Sequence, residues 1–285
     1  MILLQKRKGP NYRVSQQIEV VNQGRAPATD VVAKCILYTE AGISSAQAKT
    51  TPLCRKVKDN QGNNFGVFKL GTLKPKETRV LRLEVMIEPY VYRTKARYLG
   101  MLKEIEQILQ QKYCGATKYW DTAPELQDTV VSVITETEDI AKILKQIFQF
   151  LNSLIFREHL TTRRGALKTL HTKYGDCDEF TDLFVTMARH VGIPARRITG
   201  LFLKAGQPVH HAWAEAFTPK WNWLPFDPAL GYFAASSVNH IPRKLEATVS
   251  EIPDYGIRYK SKRTTNLSIQ PIEEVPLVQI IKNAV

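Results

Sequence analysis

The hydrophobic period of this chain changes along its length, and that change restricts its fold more than any other feature. Between residues 11 and 92 apolar residues recur at a period of two. In TRVLRLEVMI, Val80, Arg82, Glu84 and Met86 fall on one side and Leu81, Leu83, Val85 and Ile87 on the other. Successive strand side chains point to opposite faces, so each such run can bury one face of a sheet. Polar turns at Asn22-Gln23-Gly24 and across residues 59–64 separate the runs. Several short strands at this spacing predict an all-β sandwich of immunoglobulin-like size over residues 1–94.

Near residue 95 the period becomes helical. Leu99 to Tyr113 carries apolar residues at 99, 102, 105 and 109, which predicts a helix. Thr135 to Glu138 fits a capping box, and Ile140, Ile143, Leu144, Ile147, Phe148, Leu151, Leu154 and Ile155 follow as one stripe. Residues 178–191 predict another helix, stopped by Gly192-Ile193-Pro194. Three β-rich runs come next: ARRITGLFL, VHHAWAEAF and NWLPFD. Helices followed by an antiparallel sheet make an α+β domain over residues 95–250. Residues 251–285 hold two strand candidates, around TTNLSIQ and PLVQIIK, expected as an extension packed on that second domain.

Composition adds a constraint on partners. The 285 residues carry a net charge of +13, of which +11 (18 Lys and Arg against 7 Asp and Glu) belongs to residues 1–98. A basic first domain is a candidate surface for a polyanion, although no short Lys/Arg-rich run marks one. The four cysteines, Cys35, Cys54, Cys114 and Cys177, form no C-x-x-C pair, so a zinc ribbon has no support. Pairing of Cys35 with Cys54 is open. No apolar run approaches the ~18 residues of a membrane helix, and MILL is too short for a secretory core. The expectation is a cytoplasmic protein, or an exported one if a leader has been removed.

The stretch YGDCDEFTDLFV places Cys177 at the predicted start of a helix. Unpaired N–H groups there favour a thiolate, while Asp176 and Asp178 oppose it. A nucleophilic thiol needs a base, and the base needs an orienting acceptor. In PVHHAWAEAF, His211, Trp213, Glu215 and Phe217 share one strand face, with His210 and three alanines on the other. The alanines leave room for a helix. Asp227, at the end of the next strand, can meet a histidine on its neighbour. His210 is the alternative base. Glu215 is expected to pair with Arg196 or Arg197. Asp176, Trp213 and Trp223 are candidates to line a cleft, and no spacing supports a metal site.

These blocks carry a resemblance. GDCDEFTDLFVTMARHVGIPARRITG, then HHAWAEAF, then WNWLPFDPALG resemble the transglutaminase-like superfamily core, densely over residues 165–231. The resemblance implies a papain-like α+β fold, with the family's nucleophile on Cys177, its base on His211 and its orienting carboxylate on Asp227. It implies acyl transfer at an amide carbonyl of a protein or peptide substrate, by a cysteine peptidase, amidase or transamidase that needs no cofactor. The chain departs from animal transglutaminases in lacking an indole donor shortly before the cysteine. The nearest upstream tryptophan is Trp120, and Phe156 offers no N–H. Some members of the superfamily have lost the triad and only bind. The alternative expectation is therefore a non-catalytic module that holds a protein or polyanion partner through the basic first domain.

Overall fold

The computed structural model describes residues 4–94, 98–261 and 264–281. Seven strands come first: β1 (Leu4–Lys8), β2 (Asn11–Asn22), β3 (Ala28–Ile36), β4 (Ile43–Thr51), β5 (Arg55–Lys58), β6 (Asn64–Leu73) and β7 (Thr78–Thr94). Then come α1 (Gln107–Tyr113), α2 (Pro124–Val133), α3 (Ile140–Leu154), a two-residue β8 (Phe156–Arg157), α4 (Ala166–Thr172), β9 (Tyr174–Gly175) and α5 (Cys177–His190). A second run of strands follows: β10 (Ala195–Lys204), β11 (Gln207–Thr218), β12 (Asn222–Phe226) and β13 (His240–Glu246). The chain ends in β14 (Tyr255–Lys260), β15 (Leu267–Pro271) and β16 (Leu277–Ile281). The architecture is mixed, a helix-and-sheet core with a β-rich N-terminal region. Among the described residues no helix is long and apolar enough to cross a membrane. The expected division at residues 94 and 95 falls on positions 95–97, outside the described residues.

Alternation in the sequence becomes two facing sheets. One contains β1, β7, β2 and β15, with β4 also on β7 and β16 also on β2; the other runs β14-β3-β6-β5. Ile18, Val20, Leu81 and Leu83 meet Val31, Ala33, Phe68 and Leu70 between them. The buried face of β7 then continues into a second core. Val85 and Ile87 join Tyr12 and Val14 against Leu201, Leu203 and Ile241 of the β10–β13 sheet. At roughly 1.5–3 kcal/mol per buried aliphatic side chain, this shared cluster outweighs surface ion pairs as the tie between the two halves.

The C-terminal segment corrects an expectation. Its strands pair into the N-terminal sheets, although Val275 and Val278 also pack on the cluster shared with Leu201 and Ile241. β14 pairs with β3, and β15 and β16 both pair with β2. The exposed edges of β2 and β3 offer unpaired backbone groups, which these strands satisfy. Residues 98–254 are thereby interposed between two parts of one sandwich.

In the helical half, α3 buries Ile140, Ile143, Leu144, Ile147 and Leu151 as its stripe predicts. Its cap is Asp139, not Thr135, because Asp139 accepts from the N–H groups of Ala141 (2.9 Å) and Lys142 (3.4 Å). The helix expected over 99–113 is shorter, since Met101 and Ile105 are extended and leave only a 3-10 turn at Leu102–Glu104 before α1. α5 lies at the centre. Phe180, Leu183, Phe184 and Met187 pack against Ala195, Ala214 and Ala216, and Phe184 stacks on Phe226 with ring centroids 5.3 Å apart. The small residues of β11 are where the sheet admits the helix.

Candidate active site

The start of α5 explains the GDCDE sequence. Asp176 is the N-cap, and its Oδ1 accepts from the Asp178 N–H at 3.0 Å. Glu179 reaches back, accepting from the Asp176 N–H (3.2 Å) and the Arg164 N–H (2.8 Å). Burial pushes the Glu179 carboxyl up to about 7 against these two bonds. A Cβ at Gly175 would lie 2.4 Å from the Glu179 Cβ, so only glycine fits there. Cys177 is thus the first helical residue. Its own N–H is one of those that a helix leaves unpaired, and can serve one lobe of an oxyanion.

Burial pushes the Cys177 thiol up to about 12, with Asp178 and Asp176 adding to it; the Ala212 backbone N–H and Arg197 oppose the shift. The resting group is therefore a thiol at neutral pH. The helix N-terminus does not win here, because burial outweighs it and the two flanking carboxylates add to the shift. For such a thiol to act as a nucleophile, a base would have to take its proton.

His211 stands next to the Ala212 N–H that meets the sulfur, and Cys177 and His211 line the same cleft of about 430 Å³. Its Nε2 bonds Oδ2 of Asp227 at 2.7 Å, and both residues are buried. Nδ1 is the nitrogen left for the thiol. Asp227 follows β12, and its Oδ1 accepts from the Leu230 N–H at 3.0 Å. Burial pushes its carboxyl up, but the bonds from His211 and His240 outweigh that and hold it at about 2. Cys177 and His211 also border a smaller cleft of about 290 Å³ with Arg157, Phe180 and Leu230. The sulfur sits where two clefts meet.

His240 is the residue the sequence analysis passed over. Its Nε2 bonds the same Oδ2 of Asp227 at 3.0 Å. The ligand atoms of His211, Asp227 and His240 lie within 4.8 Å of one another, as a metal would require. In the structure both histidines hydrogen-bond this carboxylate.

The remaining candidates separate. Asp176 lines the cleft as well as capping α5. Trp213 does not; it is buried with Ile198 and Leu245 and packs beside His211 and His240, with ring centroids 6.0 and 5.1 Å away. Trp223 is engaged elsewhere, against Tyr113, Phe217 and the Arg196 guanidinium. Alternation assigned both tryptophans a face but not the layer that covers it. His210 lines the same cleft, but it donates to the Glu274 carbonyl at 2.9 Å, while the imidazoles bonded to Asp227 are those of His211 and His240. Glu215 pairs with Arg196. Trp120 donates its indole N–H to Asp182 at 2.8 Å inside the core, so it is not the missing oxyanion donor.

Gly200 is opposite His211 on β10. A Cβ there would lie 2.1 Å from the Ile241 carbonyl oxygen of β13. Gly200→Ala is expected to cost about 2 kcal/mol by forcing the strands apart, measured as a lowered urea midpoint. An unchanged midpoint would mean that the sheet absorbs the methyl group freely.

Residues 127–228 match the model of the transglutaminase-like superfamily. Across nearly its whole length the chain is similar in fold to the crystal structure of a candidate cysteine protease from Cytophaga hutchinsonii. The TM-score is 0.65 at 16% identity, covering 95% of this chain and 93% of that one. The periplasmic domain of TgpA from Pseudomonas aeruginosa aligns with a TM-score of 0.40 at 13% identity, over 75% of this chain and 87% of that one. The uncharacterized protein YebA of Bacillus subtilis is 27% identical over 148 residues, 43% of this chain. The match spans only 20% of YebA's length.

Proposed function

From a chain that carries a transglutaminase-like domain over residues 127–228, we propose thiol-dependent acyl transfer at an amide bond of a protein or peptide. Cys177 is the nucleophile, His211 the base and acid, and Asp227 the group that orients the imidazole. The observation that carries this reading is the buried 2.7 Å bond from His211 Nε2 to Asp227, which leaves Nδ1 for the thiol across a shared cleft.

Attack by Cys177 Sγ on the carbonyl carbon transfers the thiol proton to His211 Nδ1, and the tetrahedral oxyanion forms beside the Cys177 N–H. Collapse expels the amine, which takes the proton back from His211, and leaves a thioester. Water or a second amine then attacks with His211 as base, and the thiolate departs and is reprotonated. Asp227, ionised far below neutral pH, stabilises the imidazolium in both halves.

The test is labelling with a chloroacetyl-capped peptide amide, located by mass spectrometry, beside turnover of peptide amides and of glutamine peptides with a labelled amine. We expect modification at Cys177 ahead of the half-buried Cys54 and Cys114. Its rate should climb through the alkaline range, because a thiol raised to about 12 gains thiolate as the pH increases. No turnover, with Cys177 modified no faster than Cys54, would sink the proposal.

A further inference from the structure

Asp227 is buried, and its two oxygens accept three hydrogen bonds: His211 Nε2 (2.7 Å) and His240 Nε2 (3.0 Å) on Oδ2, and the Leu230 N–H (3.0 Å) on Oδ1. The second histidine has its protonation written into its surroundings. His240 Nδ1 accepts the backbone N–H of Ser237 at 3.1 Å, so that nitrogen bears no proton, and the Ser237 hydroxyl lies at the same distance. The ring proton is therefore on Nε2, aimed at Asp227. Burial lowers the His240 pKa, against the pull of Asp227. Its plane is fixed by edge-on contacts with Phe202 (5.0 Å), Trp213 (5.1 Å) and Tyr232 (5.1 Å) between centroids. His240 is not among the residues lining the cleft with Cys177.

We propose that His240 is a positioning residue: as a neutral Nε2–H donor it pins Oδ2 of Asp227 against His211 Nε2, so that His211 presents Nδ1 to Cys177. This rests on the reading of Asp227 and His211 given above. An apolar side chain would fill the same space but leave a buried carboxylate short of one donor, with Oδ2 held by His211 alone. A glutamine can restore an N–H at that oxygen.

Two measurements test it. In the wild type, long-range proton–nitrogen correlation spectra should place the His240 proton on Nε2 with a bare Nδ1; a proton on Nδ1 overturns the inference without any substitution. The labelling rate of Cys177 by the chloroacetyl peptide is then compared for His240→Leu, His240→Gln and His211→Ala. We expect His240→Leu to slow labelling about tenfold, the equivalent of roughly one pKa unit in the Cys177–His211 pair, and His240→Gln to recover most of that loss. If His240→Leu labels like the wild type while His211→Ala is slow, His240 has no positioning role and the proposed chemistry stands. If His211→Ala also labels like the wild type, the proposed chemistry fails and the inference with it. Should His240→Leu not fold, the spectrum and the glutamine variant decide: a glutamine variant as slow as His211→Ala overturns the proposal.

Discussion

Asp227→Asn is expected to reduce acyl transfer by about 10³–10⁴-fold with little change in fold, by analogy with the loss seen when a triad aspartate becomes an amide. The reason lies in the partners. All three groups around this carboxylate are N–H donors: two imidazoles on Oδ2 and the Leu230 amide on Oδ1. An amide nitrogen at either position must face a donor. Placed at Oδ2, it forces His211 to carry its proton on Nδ1, where it can no longer accept the thiol's. Placed at Oδ1, it opposes the Leu230 N–H and removes the countercharge of the imidazolium. The measurement is turnover of an amide substrate, with near-ultraviolet circular dichroism as the control for folding. Activity within tenfold of wild type would mean that Asp227 does not set the tautomer.

The largest effect on stability is expected at Asp182, one turn and a half into α5. This carboxylate has no exposed surface. Its Oδ1 accepts from the Trp120 indole at 2.8 Å and from Arg163 at 2.5 Å, and its Oδ2 from Arg163 Nε at 2.7 Å. Arg163 also bonds Glu246, which in turn pairs with Arg197, which reaches Asp178 beside the thiol. Burial pushes the Asp182 carboxyl up, against the Arg163 hydrogen bonds and the charges of Arg163 and Arg197. Asp182→Ala leaves a largely buried guanidinium and an indole N–H without their acceptor. Breaking such a pair costs about 3–5 kcal/mol, several times the worth of an exposed ion pair. Urea unfolding measures it, and a loss under about 1 kcal/mol would show that the bonds Arg163 already makes to Glu246 and the Ser250 carbonyl suffice without Asp182. Because Arg197 touches both Glu246 and Asp178, the same variant also tests whether the network steadies the start of α5.

What the sequence revealed depended on how local the physics was. The α3 stripe and the Leu81–Ile87 alternation were legible because one face of one element meets one core. The three alanines of β11 announced a helix because only a close approach explains three small residues on one face. Cys177, His211 and Asp227 could be singled out together because a helix start and two adjacent strands carry them, and in the structure Cys177 and His211 share a cleft while His211 bonds Asp227. His240 was not: its strand lies beyond β10, and nothing in the spacing from residue 227 to 240 reveals a second donor on the same oxygen. The partners of β15 and β16 were hidden for the same reason. Alternation announces a strand but is silent about an edge more than 240 residues earlier in the chain. The Asp139 cap was readable, as an acid directly before the first residue of the stripe, and the threonine box four residues earlier masked it.

The interposition of residues 98–254 between β7 and β14 bears on how the molecule is made. On a ribosome adding about 5–20 residues per second, the first seven strands wait roughly 8–30 s before β14 emerges. For that interval β2 and β3 expose bare edges of the kind that recruit other chains. The first sheets are therefore completed only after the helical core has been made. That core is tethered at one end only until the closing strands arrive, which makes the interval before β14 emerges the time when a chaperone has most to protect.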